Sequence, residues 1–213
     1  MSSAAAPPRR LAGLLLAAGA GRRLGSPKAL VLFDGEPLVL RAQRLLRAGG
    51  CDPVVTVLGA RADDARAAAT AAGGPLEDVV VARDWQTGMG ASLRTGLAAL
   101  VERGAVGCVI ALVDQPAIGV GALERLRDAW EAGAVAAVAT YGGRPQNPVL
   151  LDRTVWAAVA KQAQGDSGAR PWLRAHPELV VEIPCDDSGS ADDIDTPADL
   201  ERLQQATLAK EST

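Results

Sequence analysis

The chain has 213 residues, of which 48% are hydrophobic and 22% are charged, so its composition is globular rather than disordered. Its net charge of −3 and its 3% aromatic content exclude a basic, base-stacking surface for nucleic acid. No run reaches the roughly 20 apolar residues that a membrane-spanning helix needs. We therefore expect a cytoplasmic protein without nucleic-acid or membrane partners, in which residues 11–210 form one domain behind a disordered tail, residues 1–10.

Short apolar runs alternate along the chain with longer amphipathic segments. The runs predict strands at residues 11–17, 53–59, 78–82, 108–113, 134–140 and 180–183. The amphipathic segments predict helices at residues 37–48, 61–72, 92–102, 119–131, 152–162 and 197–210. This alternation predicts a three-layer α/β/α Rossmann-like fold with a mostly parallel sheet. Ligands of such sheets bind beyond the carboxyl ends of the strands.

The segment directly after the first strand has the composition of an anion-binding loop. It reads LAAGAGRRLGSPK, and its glycine amides and cations could surround phosphates. The spacing of Gly19, Gly21 and Gly25 fits neither GxGxxG nor GxxxxGK[ST]. Lys28 is one of three lysines beside nineteen arginines, which indicates a need for a compact point charge. A flexible surface loop whose charges serve solubility is the alternative.

The three cysteines and the single histidine offer little catalytic chemistry. Cys51, Cys108 and Cys185 are far apart and form no CxxC pair, so we expect reduced packing residues rather than a zinc site. A Ser-His-Asp or metal–histidine mechanism would rest on His176 alone.

The loop with its two following residues, LAAGAGRRLGSPKAL, resembles the LAAGxSxRMGxPKxL signature of the molybdenum-cofactor nucleotidyltransferases, a family with a GT-A-like Rossmann fold. Gly21 stands where the signature has serine, and Leu24 where it has methionine. The resemblance implies that Arg23 and Lys28 are catalytic cations that also contact the nucleotide. It further implies a nucleotide-binding segment made of Leu16, Ala17, Ala18, Gly19, Ala20 and Gly21.

Residues 85–94, WQTGMGASLR, resemble the W-x-x-GM-x-x-SL-x-x-GL element of the cytidylyltransferase branch, which the guanylyltransferase branch typically lacks. The resemblance implies that Gly88 and Ser92 contact the nucleotide. The alternative for Ser92 is that it caps a helix beginning at Leu93.

Two further segments resemble acceptor-side elements of the same family. Residues 165–170, GDSGAR, match its GDxGAR segment, which implies that Asp166 and Arg170 bind the acceptor. A surface Asp–Arg turn is the alternative. Residues 142–150 match a glycine-rich stretch in which the family often has histidine where Asn147 stands, so Asn147 is a third candidate for acceptor binding.

Asp114 ends a buried apolar run, where a carboxylate costs free energy unless a cation or hydrogen bonds stabilise it. Magnesium is the natural partner beside a nucleoside triphosphate, and the resemblance assigns Asp114 to Mg²⁺ and to the nucleotide-binding residues. A turn or cap aspartate is the alternative. Residues 193–200, DIDTPADL, resemble the DIDTPEDL element, which implies that Asp195, or its neighbour Asp193, is a second metal ligand. The alternative for Asp195 is a cap of the helix that Pro197 opens.

These resemblances imply transfer of CMP from CTP to the phosphate of a molybdenum–pterin cofactor, with release of pyrophosphate and a molybdenum hydroxylase as the recipient. An ionised phosphate is already a nucleophile, so no general base is required. The nearest alternative is the same chemistry with GTP or with a sugar phosphate. A non-catalytic carrier of the cofactor is another, and a Rossmann oxidoreductase is a third that the glycine spacing disfavours.

Overall fold

The computed structural model describes residues 10–211, so the predicted tail lies outside the described residues except for Arg10. The described chain forms a seven-stranded sheet and a small two-stranded hairpin. The strands are β1 Leu11–Ala17, β2 Leu32–Phe33, β3 Glu36–Pro37, β4 Val54–Leu58, β5 Asp78–Val81, β6 Gly107–Leu112, β7 Ala136–Tyr141, β8 Arg144–Asp152 and β9 Val180–Pro184. The order across the sheet is β5-β4-β1-β6-β8-β7-β9, and β8 alone among these runs antiparallel to its neighbours.

Helices cover both faces of the sheet. They are α1 Leu38–Ala48, α2 Ala62–Ala71, α3 Met89–Glu102, α4 Val120–Glu131, α5 Trp156–Gln162, α6 Arg170–Ala175 and α7 Pro197–Glu211. Residues of α1, α2, α4 and α7 share one apolar cluster, and those of α3, α5 and α6 share the other. The predicted three-layer, mostly parallel fold is confirmed. No described helix has the length and apolar character that crossing a membrane requires.

The central strand β1 shows how the sequence divides the core. All seven of its residues are buried. Leu11 and Leu15 point to the cluster that contains α1 and α4, whereas Leu14 and Leu16 point to the cluster that contains α3. Because successive strand residues face opposite sides, a strand covered on both faces reads as an unbroken apolar run.

The antiparallel strand β8 is absent from the predicted strands. Pro145 and Pro148 lie within it, and proline removes a donor that a central strand normally uses. The pairing of β7 with β8 shifts register between Val138 and Ala139, which places Pro148 in a bulge. The strand runs on to Asp152, so the helix predicted to start there begins only at Trp156, after a short 3₁₀ turn.

The helix predicted to begin after a Ser92 cap starts earlier. The α3 helix begins at Met89 and follows Gly88, whose φ is +114°. Ser92 therefore lies inside the first turns of the helix and is only 4% exposed. The capping role predicted for Ser92 is wrong, because two glycines around Met89 let the helix start closer to the preceding turn.

Candidate active site

Gly21 closes the loop that follows β1. Its φ is +59°, and a Cβ atom at this position would collide with the carbonyl oxygen of Ser26. The carbonyl of Gly21 also accepts a hydrogen bond from the N–H of Leu24 at 2.9 Å. This geometry explains why glycine stands where the family signature has serine, since a side chain would force the loop open.

The loop presents backbone rather than apolar side chains to solvent. The side chains of Leu16, Ala17 and Ala18 are buried. Within residues 10–211, the N–H groups of residues 20–22 donate no hydrogen bond, so they are available to an anion.

Lys28 bridges two carboxylates that come from distant parts of the sequence. Its Nζ donates to Asp114 Oδ2 at 2.5 Å and to Asp195 Oδ1 at 2.7 Å. The other oxygen of Asp195 pairs with Arg23 at 2.8 Å. Since β1 and β6 are adjacent and parallel, the segments that follow them meet at one edge of the sheet. The structure thus brings together the two predicted cations and the two predicted metal ligands.

The charges and the burial of this cluster shift the pKa values of its side chains. Burial lowers the pKa of Lys28, but the charge of Asp114 and the hydrogen bonds to both carboxylates outweigh burial, so the pKa lies above its usual value. The hydrogen bond from Lys28 holds the pKa of Asp195 below its usual value. Desolvation by surrounding protein atoms, together with the charge of Asp114, raises the pKa of Asp193, although this residue is exposed. Asp195 therefore belongs to the ion cluster, whereas Asp193 lies beside it.

The start of α7 is capped by other residues than Asp195. Asp199 Oδ2 accepts hydrogen bonds from the backbone N–H of Thr196 at 2.9 Å and from its hydroxyl at 2.8 Å. The Thr196 hydroxyl in turn accepts the N–H of Asp199 at 3.3 Å. The alternative that Asp195 caps α7 is therefore wrong. Thr196 and Asp199 form the cap, and the carboxylate of Asp195 contacts Lys28 and Arg23 instead.

The oxygens of Asp114 and Asp195 that converge on Lys28 fit a magnesium ion. Mg²⁺ binds through one or two carboxylates and completes its shell with water and substrate phosphates. Among residues 10–211 no group of three or more His, Cys, Asp or Glu side chains is placed to hold a metal by protein ligands alone. The two carboxylates therefore suit an ion that is shared with a phosphate group.

A cavity of about 420 Å³ lies beside this edge of the sheet. Asn147, Asp166 and Arg170, the three residues predicted to bind the acceptor, all line it. Sequence reasoning missed Arg174 and Glu182, which line the same cavity. Arg174 lies one helical turn after Arg170 on α6, a short helix that is absent from the predicted helices.

Two of the motifs found in the sequence meet in space. A Cβ atom at Gly88 would collide with the backbone of Gly165 and the carboxylate of Asp166. The N–H of Gly90 donates to the carbonyl of Gly165 at 2.8 Å, and Arg94 donates to the carbonyl of Ala163. The start of α3 is therefore packed against the GDSGAR segment. Buried Ser92, by contrast, offers little surface to a ligand.

The fold and this cluster define a nucleotidyltransferase of the Rossmann-like class. The sequence matches the model of the MobA-like NTP transferase domain over residues 13–180, and the chain belongs to that family.

The names of similar proteins refer to different activities. The chain is 40% identical to a nicotine blue oxidoreductase of Paenarthrobacter nicotinovorans, over 90% of this chain and 95% of that protein. It is 32% identical to a molybdenum cofactor guanylyltransferase of Burkholderia vietnamiensis, over 81% and 86%.

Crystal structures of Rv0371c from Mycobacterium tuberculosis H37Rv share the fold. One has a TM-score of 0.81 at 32% identity and covers 94% of this chain and 100% of its own. A second, a complex with manganese, has a TM-score of 0.75 at 30% identity and covers 92% and 98%.

Proposed function

We propose that this protein transfers CMP from CTP to the phosphate of a molybdenum–pterin cofactor and releases pyrophosphate. The observation that carries the proposal is the contact of Lys28 with Asp114 and Asp195 beside a loop in which, within the described part of the chain, the N–H groups of residues 20–22 donate no hydrogen bond. Nucleotidyl transfer joins two anions, so their mutual repulsion is the main barrier. Fixed cations and amide dipoles lower such a barrier because they require no rearrangement as charge develops.

In this reaction a phosphate oxygen of the acceptor attacks the α-phosphorus of CTP. The bond from the α-phosphorus to the oxygen that bridges to the β-phosphate breaks, and pyrophosphate leaves. The amides of residues 20–22 and the guanidinium of Arg23 hold the triphosphate. The ammonium of Lys28 neutralises the charge that develops at the α-phosphate.

Asp114 and Asp195 would hold Mg²⁺. The ion, when bound, supplies neutralisation of phosphate oxygens and alignment of the two reactants. The manganese complex of Rv0371c supports a divalent ion in a protein of this fold.

The cavity lined by Asn147, Asp166 and Arg170 would hold the acceptor, and Gly88 would lie on the nucleotide side of it. Its volume is within the range of roughly 300–1,000 Å³ that is usual for small-molecule sites. Glu182 and Arg174 place further charges on its wall. The modified cofactor would then pass to a molybdenum hydroxylase.

The choice of base rests on one sequence element. CTP is favoured by the WQTGMGASLR segment, whose branch of the family uses cytidine nucleotides. GTP is the alternative, and the Burkholderia guanylyltransferase supports it. Two further alternatives are a nucleotidyltransferase whose acceptor is a sugar phosphate and a protein that carries the cofactor without catalysis.

A second candidate function is favoured by the nicotine blue oxidoreductase relative, which is similar along nearly its whole length. This protein would then transfer a hydride from NAD(P)H to a small organic molecule bound in the 420 Å³ cavity, with NAD(P)⁺ released. The spacing of Gly19, Gly21 and Gly25 departs from the dinucleotide fingerprint, which argues against it.

The test is pyrophosphate release from CTP, GTP and UTP, each with and without molybdenum–pterin cofactor, alongside oxidation of NADPH. The proposal expects pyrophosphate from CTP only when the cofactor is present. Pyrophosphate release from GTP, but not from CTP or UTP, would identify a guanylyltransferase instead. Cofactor binding without pyrophosphate would identify a carrier, and NADPH oxidation without pyrophosphate would identify an oxidoreductase.

A further inference from the structure

The ammonium of Lys28 lies where a divalent ion bound by the same two oxygens would lie. Its Nζ is 2.5 Å from Asp114 Oδ2 and 2.7 Å from Asp195 Oδ1. A magnesium ion would lie about 2.1 Å from each oxygen it binds. The ammonium and such an ion therefore exclude one another at this position.

Two cations already pair with the two carboxylates that would hold a metal. Two carboxylates, Asp114 and Asp195, face two cations, Lys28 and Arg23. The side chains of Lys28 and Asp114 are only 18% and 16% exposed, so bulk water and salt screen their attraction weakly. A free divalent cation must displace the Lys28 ammonium from both carboxylates, whereas a bound triphosphate offers that ammonium other anionic oxygens to pair with.

We propose that Lys28 exchanges ligands when a nucleotide binds. In the free protein it holds Asp114 and Asp195; when a nucleoside triphosphate arrives, it turns to a phosphate and leaves both carboxylates to the metal. Metal and nucleotide would then strengthen each other's binding, since coupling between two ligands is reciprocal. The identity of the anion rests on the proposed function, but the competition between the ammonium and the metal does not.

The experiment measures Mn²⁺ binding, with the free ion followed by electron paramagnetic resonance and no acceptor present. The uncleavable nucleotide is α,β-methylene CTP. In the wild-type protein, we expect Mn²⁺ alone to bind weakly and the analogue to tighten it by about tenfold or more. In Lys28→Met, Mn²⁺ alone should bind about tenfold or more tightly than in wild type, because the carboxylates then lack their ammonium.

Two variants serve as controls. Lys161→Met removes an exposed lysine of α5 and should bind Mn²⁺ as wild type does. Lys28→Arg keeps a positive charge at the cluster, so weak binding of Mn²⁺ alone should persist. Circular dichroism and thermal unfolding verify that each variant is folded.

A folded Lys28→Met that binds Mn²⁺ no more tightly than wild type would overturn the inference. If that variant does not fold, the wild-type protein decides: an analogue that binds but leaves the Mn²⁺ affinity unchanged would also overturn the inference. If the analogue binds neither protein, the proposed nucleotide function fails. The Mn²⁺ comparison between wild type and Lys28→Met then still decides whether the ammonium competes with the metal.

Discussion

Asp199 caps α7 through Thr196, and this contact leaves the carboxylate of Asp195 free for the cations. The Asp199 carboxylate accepts both the backbone N–H and the hydroxyl of Thr196, at 2.9 and 2.8 Å. Asp195 is directed instead to Lys28 and Arg23. A helix cap thus fixes the position of a candidate metal ligand one residue before it.

The cap predicts a stability change in acid. Hydrogen bonds from the Thr196 hydroxyl and from Arg202 lower the pKa of Asp199 from 3.8 to about 2. A lowered folded-state pKa gives stability that is present above the unfolded-state value and is lost as pH falls through the folded-state value. We therefore expect the melting temperature of wild type to fall between pH values of about 4 and about 2, with a smaller fall in Asp199→Asn.

Thermal unfolding followed by circular dichroism across this pH range measures the effect. Asp63→Asn, at an exposed position of α2, is the matched control and should keep the wild-type slope. An Asp199→Asn protein with the wild-type slope would show that the cap carries no charge-dependent stability.

Lys28→Ala should lower turnover by about 10²–10³-fold, the usual cost of removing one preorganised donor to a developing negative charge. Steady-state pyrophosphate release gives the rate. Lys161→Ala, which removes an exposed lysine far along the chain, should retain wild-type turnover. Equal rates in the two variants would remove Lys28 from the chemistry.

Asp114→Asn and Asp195→Asn should each abolish activity or raise the Mg²⁺ concentration that half-maximal activity requires. An amide oxygen is a neutral and weaker ligand than a carboxylate, which is the physical reason. The check is a magnesium titration of turnover. Asp192→Asn, which alters an exposed carboxylate of the same segment that accepts a bond from Ser190, is the control. A normal magnesium optimum in both variants would assign these acids to structure alone.

Gly21→Ser should destabilise the fold, although serine is the usual residue of the family signature. The positive φ alone costs about 1–2 kcal/mol for a residue with a side chain, and the collision with the Ser26 carbonyl adds to it. Chemical denaturation measures the free energy of unfolding. Gly19→Ser is the matched control, because a Cβ atom there would meet no other atom within 4 Å. Equal stabilities would show that the loop opens without cost.

Arg174→Ala should raise the KM for the acceptor by about tenfold or more and leave the KM for CTP unchanged, because charge-assisted hydrogen bonds to an anionic ligand contribute about 1.5–3 kcal/mol each. The residue lines the cavity together with Arg170. Arg66→Ala, at an exposed position of α2, should leave both constants unchanged. An equal rise in both KM values would indicate a change of structure rather than loss of an acceptor contact.

The sequence predicted the central strands and the meeting of Lys28 with Asp114, for physical reasons that are visible in β1. An unbroken apolar run means a strand that is covered on both faces, and the parallel-sheet rule then places Lys28 and Asp114 at one edge.

The remaining features required three-dimensional information. Strand β8 was not predicted because it contains Pro145 and Pro148, which local sequence patterns associate with loops. The bulge that tolerates Pro148 has no signature in the hydrophobic pattern. Asp195 and Asp199 flank the same helix start, and only their contacts show which of them caps it. Arg174 belongs to no motif, so its place in the cavity follows only from the packing of α6.

The central claim is that the cluster around Lys28 transfers a nucleotidyl group. Its most direct test uses CTP labelled with radioactive phosphorus at the α position, incubated with the protein, Mg²⁺ and molybdenum–pterin cofactor. We expect the label to appear in a cofactor–CMP product in step with pyrophosphate, and we expect Lys28→Ala nearly to eliminate this transfer. Label that remains in CTP or in free CMP, with the cofactor unchanged, would contradict it.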